Sequence, residues 1–210
     1  MQIRELSIPG TFEITPKQFA DDRGTFLESY RFDALSEAIG HPLDVRQGNI
    51  STSRKGVVRG IHFADVPRGQ AKYVTAVRGA VMDYCIDIRV GSPTFGQWDA
   101  VLLDDRDRRS IYLPEGLGHA FVALTDDATV NYFVTDVFAP TREHAINPLD
   151  ATIGLTFDVP TSELVLSDKD LQAPSLEEAA ASGLLPRYDA CLAWYAELNE
   201  AARSTAQKGE

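Results

Sequence analysis

The stretch VVRGIHFADVPRGQAKYV, residues 57–74, places a histidine and several cations between runs that otherwise have the pattern of β-strands. A strand needs no such charges in order to pack, so Arg59, His62 and Lys72 are candidates for binding and chemistry. Arginine and lysine suit anionic ligands, and histidine titrates near neutral pH and can act as a general base. The stretch therefore predicts a site that holds a charged small molecule and moves a proton on it.

The strongest candidate base is His62, provided that a carboxylate orients its ring. Asp170, in the sequence LSDKD, is distant in the chain but could fix the imidazole tautomer. Such a pair is worth roughly 10²–10⁴ in rate as a general base. In a flat strand Arg59 and His62 would point to opposite faces, so we expect Gly60 to supply a bulge or kink.

The other histidines are less informative. His119 enters a strand through the glycine-rich bend Gly116-Leu-Gly, and the pattern leaves open whether it is a structural residue or a ligand contact. His41 follows Gly40 and predicts a surface turn, whereas His144, among polar neighbours, predicts a loop. No two histidines stand as an HxH pair within a strand, so no metal site is expected.

Short alternating runs separated by turn residues must position these side chains. Their spacing of roughly ten residues, with no alternation of strands and helices, predicts an all-β sandwich or barrel. The predicted strands, besides the opening stretch, are Thr11–Thr15, Gly24–Tyr30, Asn49–Ser53, Lys72–Arg78, Val81–Val90, Trp98–Leu103, Ser110–Leu113, His119–Leu124 and Thr129–Asp136.

The run Val81–Val90 shows the alternation clearly. The face that carries Tyr84 and Ile86 is predicted to pack in the core. The opposite face carries Asp83, Cys85, Asp87 and Arg89. That second face is either solvated or lines a polar cavity, and the pattern leaves both alternatives open.

Helices are predicted at the periphery and at the C-terminus. Residues 31–39 form a short helix that ends at Gly40, and Ser175 with Glu178 has the spacing of a capping box. Residues 189–203 have helical spacing and pack against the sheet. We expect one domain over residues 1–203 and a disordered tail over residues 204–210.

Composition narrows the classes of function. The chain has 210 residues and a formal net charge of −11, which disfavours a nucleic-acid partner. The two cysteines, Cys85 and Cys191, are expected to be reduced packing residues. No signal-like core or membrane-length apolar run is present, so the sequence predicts a cytoplasmic protein without membrane contact.

Five segments together resemble the dTDP-4-dehydrorhamnose 3,5-epimerase family in order and spacing. They are DDRGTFLESY, GNISTSRKGVVRGIHF, GQAKYVTAVRGAVMDYCIDIRVGSPTFGQW, YLPEGLGHAF and LSDKD. The resemblance covers about residues 1–174. The ending AAASGLLPRYDACLAWY is similar to the branch that makes deoxysugars for glycosylated antibiotics.

This resemblance implies a double-stranded β-helix, or jelly roll, of the RmlC-like cupin type that works without metal or organic cofactor. It implies a homodimer acting on dTDP-4-keto-6-deoxyglucose or a close relative, with residues near Phe19–Glu28 reaching the neighbouring pocket. The family's base corresponds to His62, its orienting carboxylate to Asp170 and its acid to Tyr132. The implied substrate contacts are Arg23, Phe26, Glu28, Gln47, Asn49, Arg59, Lys72, His119, Phe138 and Glu143.

The implied chemistry is physically coherent. A C4 ketone acidifies the C–H bonds at C3 and C5, and inversion needs a proton removed from one face and another returned to the opposite face. His62 and Tyr132 would supply these two groups, and Lys72 would stabilise the enolate. Asp83 is expected to hold Lys72 in place. Arginines suit the diphosphate because they are planar and always charged.

Two residues depart from the family pattern and keep alternatives open. Phe138 stands where the family commonly has tyrosine, and Ala64 stands where it often has glutamine. Either change could alter how the sugar lies, and hence whether C3, C5 or both are inverted. A monoepimerase is therefore the alternative within the class. A sugar-nucleotide-binding cupin without catalysis and a metal-dependent cupin are the alternatives from other classes.

Overall fold

The computed structural model describes residues 1–207 and contains two large antiparallel sheets and a separate hairpin. One sheet has six strands in the order β1-β2-β10-β7-β12-β5, the other has five in the order β13-β6-β11-β8-β9, and β3 pairs with β4. The predicted all-β class is confirmed. The strands are β1 (Gln2–Glu5), β2 (Phe12–Thr15), β3 (Gln18–Asp21), β4 (Gly24–Leu27), β5 (Gln47–Ser53), β6 (Val58–Ala64), β7 (Lys72–Arg78), β8 (Ala80–Ile86), β9 (Trp98–Asp104), β10 (Ser110–Leu113), β11 (Gly118–Ala123), β12 (Ala128–Val134) and β13 (Glu143–Ala145).

The two large sheets pack face to face around one apolar cluster. Val74 and Val130 from the six-stranded sheet meet Val81, Val101 and Phe121 from the five-stranded sheet. Each fully buried side chain of this size contributes about 1.5–3 kcal/mol relative to an exposed one. Both sheets are therefore fixed relative to each other, and side chains from either can reach the space between them.

Strand β8 is buried on both faces, which decides between the two alternatives for its polar face. Cys85 belongs to the cluster between the sheets, and Asp83 is fully buried. Tyr84 and Ile86 pack on the outer side of the sheet against the C-terminal segment. The solvated alternative is therefore wrong for Asp83 and Cys85.

The strand is shorter than predicted because the chain leaves the ladder at Asp87. The Asp87 carboxylate accepts hydrogen bonds from Arg89, Ser92 and Thr94, and Arg89 Nη2 lies 2.7 Å from Asp87 Oδ2. Arg89 and Asp87 are both buried. This polar turn satisfies the charges locally and does not extend the pairing to Val90.

Gly60 produces the predicted irregularity in β6. His119 pairs with His62 and Phe121 with Arg59, so a two-residue step along β11 opposes a three-residue step along β6. Gly60 has φ +125°, and a Cβ there would lie 2.5 Å from the carbonyl oxygen of His119. The bulge is confirmed, and it turns Arg59 and His62 toward the same cavity.

Two helices pack on the outer faces of the large sheets, α1 through Leu35 and α3 through Leu176. Helix α1 ends at Gly40 in the left-handed conformation, and Ser175 with Glu178 forms the predicted capping box. Helix α4 continues to Ala206, into the stretch expected to be a disordered tail, and residues 208–210 lie outside the described part. The helices are α1 (Phe32–Ile39), α2 (Asp168–Leu171), α3 (Leu176–Ala181) and α4 (Tyr188–Ala206), with a 3₁₀ turn at Thr161–Glu163.

Two further expectations concern the cysteines and the membrane. Cys85 and Cys191 are buried free thiols, as predicted. Over residues 1–207, the structure holds no helix with the length and apolar character needed to span a bilayer.

Candidate active site

A cavity of about 550 Å³ opens between the two large sheets. Most residues that the sequence analysis assigned to the site line it, although they come from eight different segments of the chain. Those residues are Gln47, Asn49, Arg59, His62, Lys72, His119, Tyr132, Phe138, Glu143 and Asp170.

His62 and Asp170 form the predicted pair. The Nε2 atom of His62 lies 2.8 Å from Oδ1 of Asp170, although the two residues are separated by 108 positions. The carboxylate accepts a hydrogen bond from Nε2–H, which leaves Nδ1 as the basic nitrogen of the neutral ring. The His62 side chain is 42% exposed, so its ring is accessible to a ligand in the cavity, whereas Asp170 is buried.

The fold holds Asp170 in its ionised form. Burial opposes the charge, but hydrogen bonding to His62 and Ser167 outweighs it, so the pKa of Asp170 lies below its ordinary value. Ser167 caps helix α2 by accepting the backbone N–H of Asp170. The carboxylate can therefore orient the imidazole and stabilise its protonated form without taking the proton itself.

Tyr132 reaches the cavity from the opposite sheet. It lies on β12 of the six-stranded sheet, whereas His62 lies on β6 of the five-stranded sheet. Burial raises the pKa of the Tyr132 phenol above its ordinary value, with the Arg59 cation opposing the rise and the Glu143 carboxylate adding to it. The phenol thus stays protonated over the whole neutral range and can donate a proton.

Lys72 presents an ammonium group to the same cavity from β7. Burial lowers the pKa of Lys72 to about 8, while the carboxylates of Glu143, Glu115 and Asp83 oppose that change. Its Nζ is 3.5 Å from the carbonyl oxygen of Gln70. A buried cation of this kind can stabilise negative charge that develops on a bound molecule.

Asp83 holds His119, and this corrects the expectation that it holds Lys72. The Nε2 atom of His119 lies 2.9 and 3.0 Å from the two carboxylate oxygens of Asp83. Burial raises the pKa of Asp83, although His119 and Lys72 both oppose the rise. Asp83 therefore acts on Lys72 only through its charge, and it fixes the ring of His119 beside that of His62, its partner across the strands.

The mouth of the cavity is lined by neutral polar groups and an exposed ring. Gln47 donates to Asn49 over 2.8 Å and accepts the backbone N–H of Phe138 over 2.9 Å. The Phe138 ring is 61% exposed, so its face is open to a planar ligand. Arg59 Nε donates to the Ser53 hydroxyl, which fixes its guanidinium stem beside the cavity.

Three predicted contact residues are outside this cavity. Arg23, Phe26 and Glu28 lie on and just after the β3–β4 hairpin, and their side chains are exposed. Within residues 1–207, Arg23 forms an ion pair only with Asp21 of the same hairpin. A single chain therefore does not bring these residues to the site.

Two histidines differ from their predicted settings. His41, expected in a surface turn, is buried. His144, expected in a loop, lies on β13 with Nε2 2.7 Å from Asp65 and its ring against Phe63. The neighbours Gly40 and Pro42 had suggested exposure for His41, and polar neighbours had suggested a loop for His144, but packing against other segments buries the first and partly buries the second.

Sequence reasoning missed several residues of the cavity wall. They give no motif signal of their own, although Ser167 and Lys169 flank the predicted Asp170 and could have been included for that reason. The missed polar residues are Ser51, Gln70, Ser167 and Lys169. Over residues 1–207, no three His, Cys, Asp or Glu side chains come together as a metal site would require.

The chain was compared with known protein families and relatives. The family model for dTDP-4-dehydrorhamnose 3,5-epimerase matches residues 5–178. A dTDP-4-dehydrorhamnose 3,5-epimerase from Mycolicibacterium smegmatis is 59% identical over 92% of this chain and 95% of its own. A dTDP-4-dehydrorhamnose 3-epimerase from Streptomyces niveus is 52% identical over 92% of each chain.

A solved structure supports the jelly-roll assignment. It is NovW, a 4-keto-6-deoxy sugar epimerase from the novobiocin biosynthetic gene cluster of Streptomyces spheroides. It is 53% identical, with a TM-score of 0.87 over 91% of this chain and 95% of its own. The predicted fold is confirmed, and so is the predicted similarity to epimerases of antibiotic pathways.

Proposed function

Because this chain belongs to the dTDP-4-dehydrorhamnose 3,5-epimerase family, we propose that it inverts C3 and C5 of dTDP-4-keto-6-deoxyglucose. It is an isomerase of the carbohydrate-epimerase type. One observation carries the proposal: the His62–Asp170 pair and the Tyr132 phenol enter a single cavity from opposite sheets. That arrangement is what removal of a proton from one face and delivery to the other requires.

In the proposed reaction, Nδ1 of His62 takes the proton from the carbon next to the C4 ketone. The electron pair left behind delocalises onto the ketone oxygen as an enolate, which the Lys72 ammonium stabilises. The Tyr132 phenol then protonates the carbon from the opposite face, and the enolate collapses to the ketone. The His62 imidazolium releases its proton to solvent and the Tyr132 phenolate takes one up, which returns both groups to their starting state. Asp170 stabilises the imidazolium that forms in the first step.

The nucleotide end of the substrate is assigned to the mouth of the cavity. We assign the diphosphate to Arg59, which lines the cavity and whose guanidinium is planar and permanently charged. Phe138 can stack on the thymine, but its phenyl ring has no hydroxyl to donate. Gln47, Asn49, His119 and Glu143 supply the hydrogen-bonding groups around the sugar and base.

Deuterium incorporation tests the function directly. The protein is incubated with dTDP-4-keto-6-deoxyglucose in D₂O, and the sugar is examined by NMR. Label at both C3 and C5 is the expected result. No label above the enzyme-free background would remove this activity for this substrate.

Inversion of one carbon is the second candidate, because a relative 52% identical to this chain is a 3-epimerase. Label confined to C3 or to C5 would select it. Phe138 and Ala64, the departures from the family pattern, are the residues to exchange first. Metal bound to the purified protein would indicate a metal-dependent cupin. Binding of dTDP without turnover would indicate a sugar-nucleotide-binding cupin without catalysis.

We expect the rate to depend on the charge of Lys72. With its pKa at about 8, kcat/KM should fall above that pH, by about tenfold per unit once the ammonium is lost. In Lys72→Arg the charge persists, so the variant should be slower but lack this alkaline limb. If Lys72→Arg kept the alkaline fall of kcat/KM with an unchanged midpoint, that fall would be due to a group other than Lys72.

We also propose a homodimer in which the β3–β4 hairpin of each chain completes the other chain's site. The exposure of Arg23, Phe26 and Glu28 supports this. These residues lie outside the cavity of their own chain, so they can contact substrate only if they reach the cavity of a second chain. Two exposed phenylalanines on one hairpin, Phe19 and Phe26, also suit burial against a partner.

Subunit complementation tests the shared site. His62→Ala and Arg23→Ala should each be impaired alone, yet a mixed dimer would combine an intact His62 from one chain with an intact Arg23 from the other. Random pairing should restore roughly a quarter of the wild-type activity, because half of the dimers are mixed and each has one intact site. No recovery after verified subunit exchange would place Arg23 in its own chain's site or in none.

A further inference from the structure

Glu115 is a buried carboxylate that the proposed reaction does not use. It lies between β10 and β11 and is 3% exposed. One carboxylate oxygen, Oε1, accepts a hydrogen bond from the Thr135 hydroxyl over 3.3 Å, and the other, Oε2, has no partner among residues 1–207. A buried carboxylate left half-satisfied is costly, so its position calls for an electrostatic reason.

The strand register ties Glu115 closely to Lys72. Lys72 pairs with Leu113, two residues before Glu115, and with Val134, one residue before Thr135. The Thr135 hydroxyl accepts the backbone N–H of Ala71, the residue next to Lys72, and donates to Glu115. Strand pairing and the Thr135 hydroxyl therefore tie the Glu115 side chain to the backbone that carries Lys72.

Helix α4 holds Glu115 from the other side. The Tyr195 hydroxyl donates to the backbone carbonyl of Glu115, and Arg89 Nη1 lies 3.5 Å from the same hydroxyl. Trp194 lines, together with Glu115, a second cavity of about 720 Å³, and its buried indole N–H has no partner among residues 1–207. Helix α4 begins at Tyr188, beyond the stretch 5–178 that the family model matches.

We propose that Glu115 is a positioning residue that keeps Lys72 protonated in the active site, and that helix α4 holds it there. The inference rests on the proposed role of Lys72 as the cation that stabilises the enolate. Burial works against the ammonium, and Glu115 is one of the few charges that favour it. Helix α4 thus acts on the reaction through a carboxylate that does not touch the substrate.

Other charged and titratable groups also face this pair, and the test must separate their effects. Burial raises the pKa of Glu115, while the His41, Trp194 and Thr135 side chains oppose the rise. The groups to be considered are Glu143 on β13, Asp83 on β8 with its partner His119, His41 after α1, and Tyr195 and Cys191 on α4.

The test is Glu115→Gln, which keeps the shape and removes the charge. The Lys72 ammonium should titrate about one pH unit lower, because the charge of one of the three carboxylates that favour the ammonium is removed. The alkaline limb of kcat/KM should move by the same amount. At pH 9 the variant should therefore lose about tenfold relative to wild type, against less than about twofold at pH 6.5.

Lys72 is also titrated without reference to activity, by ¹⁵N-edited NMR of its Nζ group, assigned by its absence in Lys72→Arg. Trp194→Phe should move the midpoint in the same direction by less, because it removes an N–H group near the carboxylate but keeps an aromatic ring. Glu197→Gln, an exposed site on α4, is the matched control and should leave both midpoints unchanged.

An unchanged NMR midpoint in a folded Glu115→Gln protein would overturn the inference. A loss of rate that is equal at all pH values would overturn it as well, because that is the signature of a structural role. A shifted NMR midpoint without any alkaline limb would support the link between Glu115 and Lys72. That result would, however, remove Lys72 from the proposed reaction. Failure of the inference about Glu115 and failure of the proposed role of Lys72 are therefore distinguishable.

Discussion

Replacing His62 with alanine is expected to abolish deuterium exchange at both C3 and C5, with kcat lowered by roughly 10²–10⁴-fold. The ring nitrogen that takes the proton is lost, and Asp170 cannot replace it because it is buried and oriented toward the vacated ring. Binding of dTDP, measured by calorimetry, should change by less than about twofold, since a base acts mainly in the transition state. Asp170→Asn should give a smaller loss with the same pattern.

His144→Ala is the matched control. His144 also forms a histidine–carboxylate pair, with Asp65 at 2.7 Å, but it does not line the cavity. Its removal should leave exchange and inversion near wild-type values, provided that thermal unfolding shows the fold intact. Exchange that persists at both carbons in His62→Ala would assign the base to another residue.

Replacing Tyr132 with phenylalanine should separate exchange from inversion. His62 can still remove a proton and return a deuteron to the same face, so label should enter the sugar with retention of configuration. Inversion needs a donor on the opposite face, and its rate should fall by roughly 10²-fold or more. The ratio of labelled substrate to labelled product, followed by NMR over time, measures this separation.

The control for the lost hydroxyl is Tyr188→Phe. Tyr188 lies on helix α4 and does not line the cavity. The centroid of its ring is 5.1 Å from Cζ of Arg89. This variant should retain both activities. Equal loss of exchange and inversion in Tyr132→Phe would count against an acid on the opposite face, and would indicate a role in binding or in stabilising the enolate.

Many strands and helix ends of this protein could be predicted because they depend on residues that are neighbours in the sequence. Alternation of apolar and polar residues located strands such as Lys72–Arg78 and Ser110–Leu113, whose bounds agree with the structure. Gly40 and the pair Ser175 and Glu178 marked helix ends through backbone conformation and capping, which involve only neighbouring residues. The bulge at Gly60 was predictable because two functional side chains had to share one face.

Only the tertiary structure decided which distant groups meet. The sequence offered Asp170 as a partner for His62, but their contact depends on helix α2 packing beside β6. It assigned Asp83 to Lys72, whereas the pairing of β8 with β11 gives Asp83 to His119. The burial of His41 and Glu115 likewise depends on packing between segments far apart in the chain. Residue types and spacing thus determined the strands and the available chemistry, whereas strand register and packing determined the partners and proton affinity of each charged group.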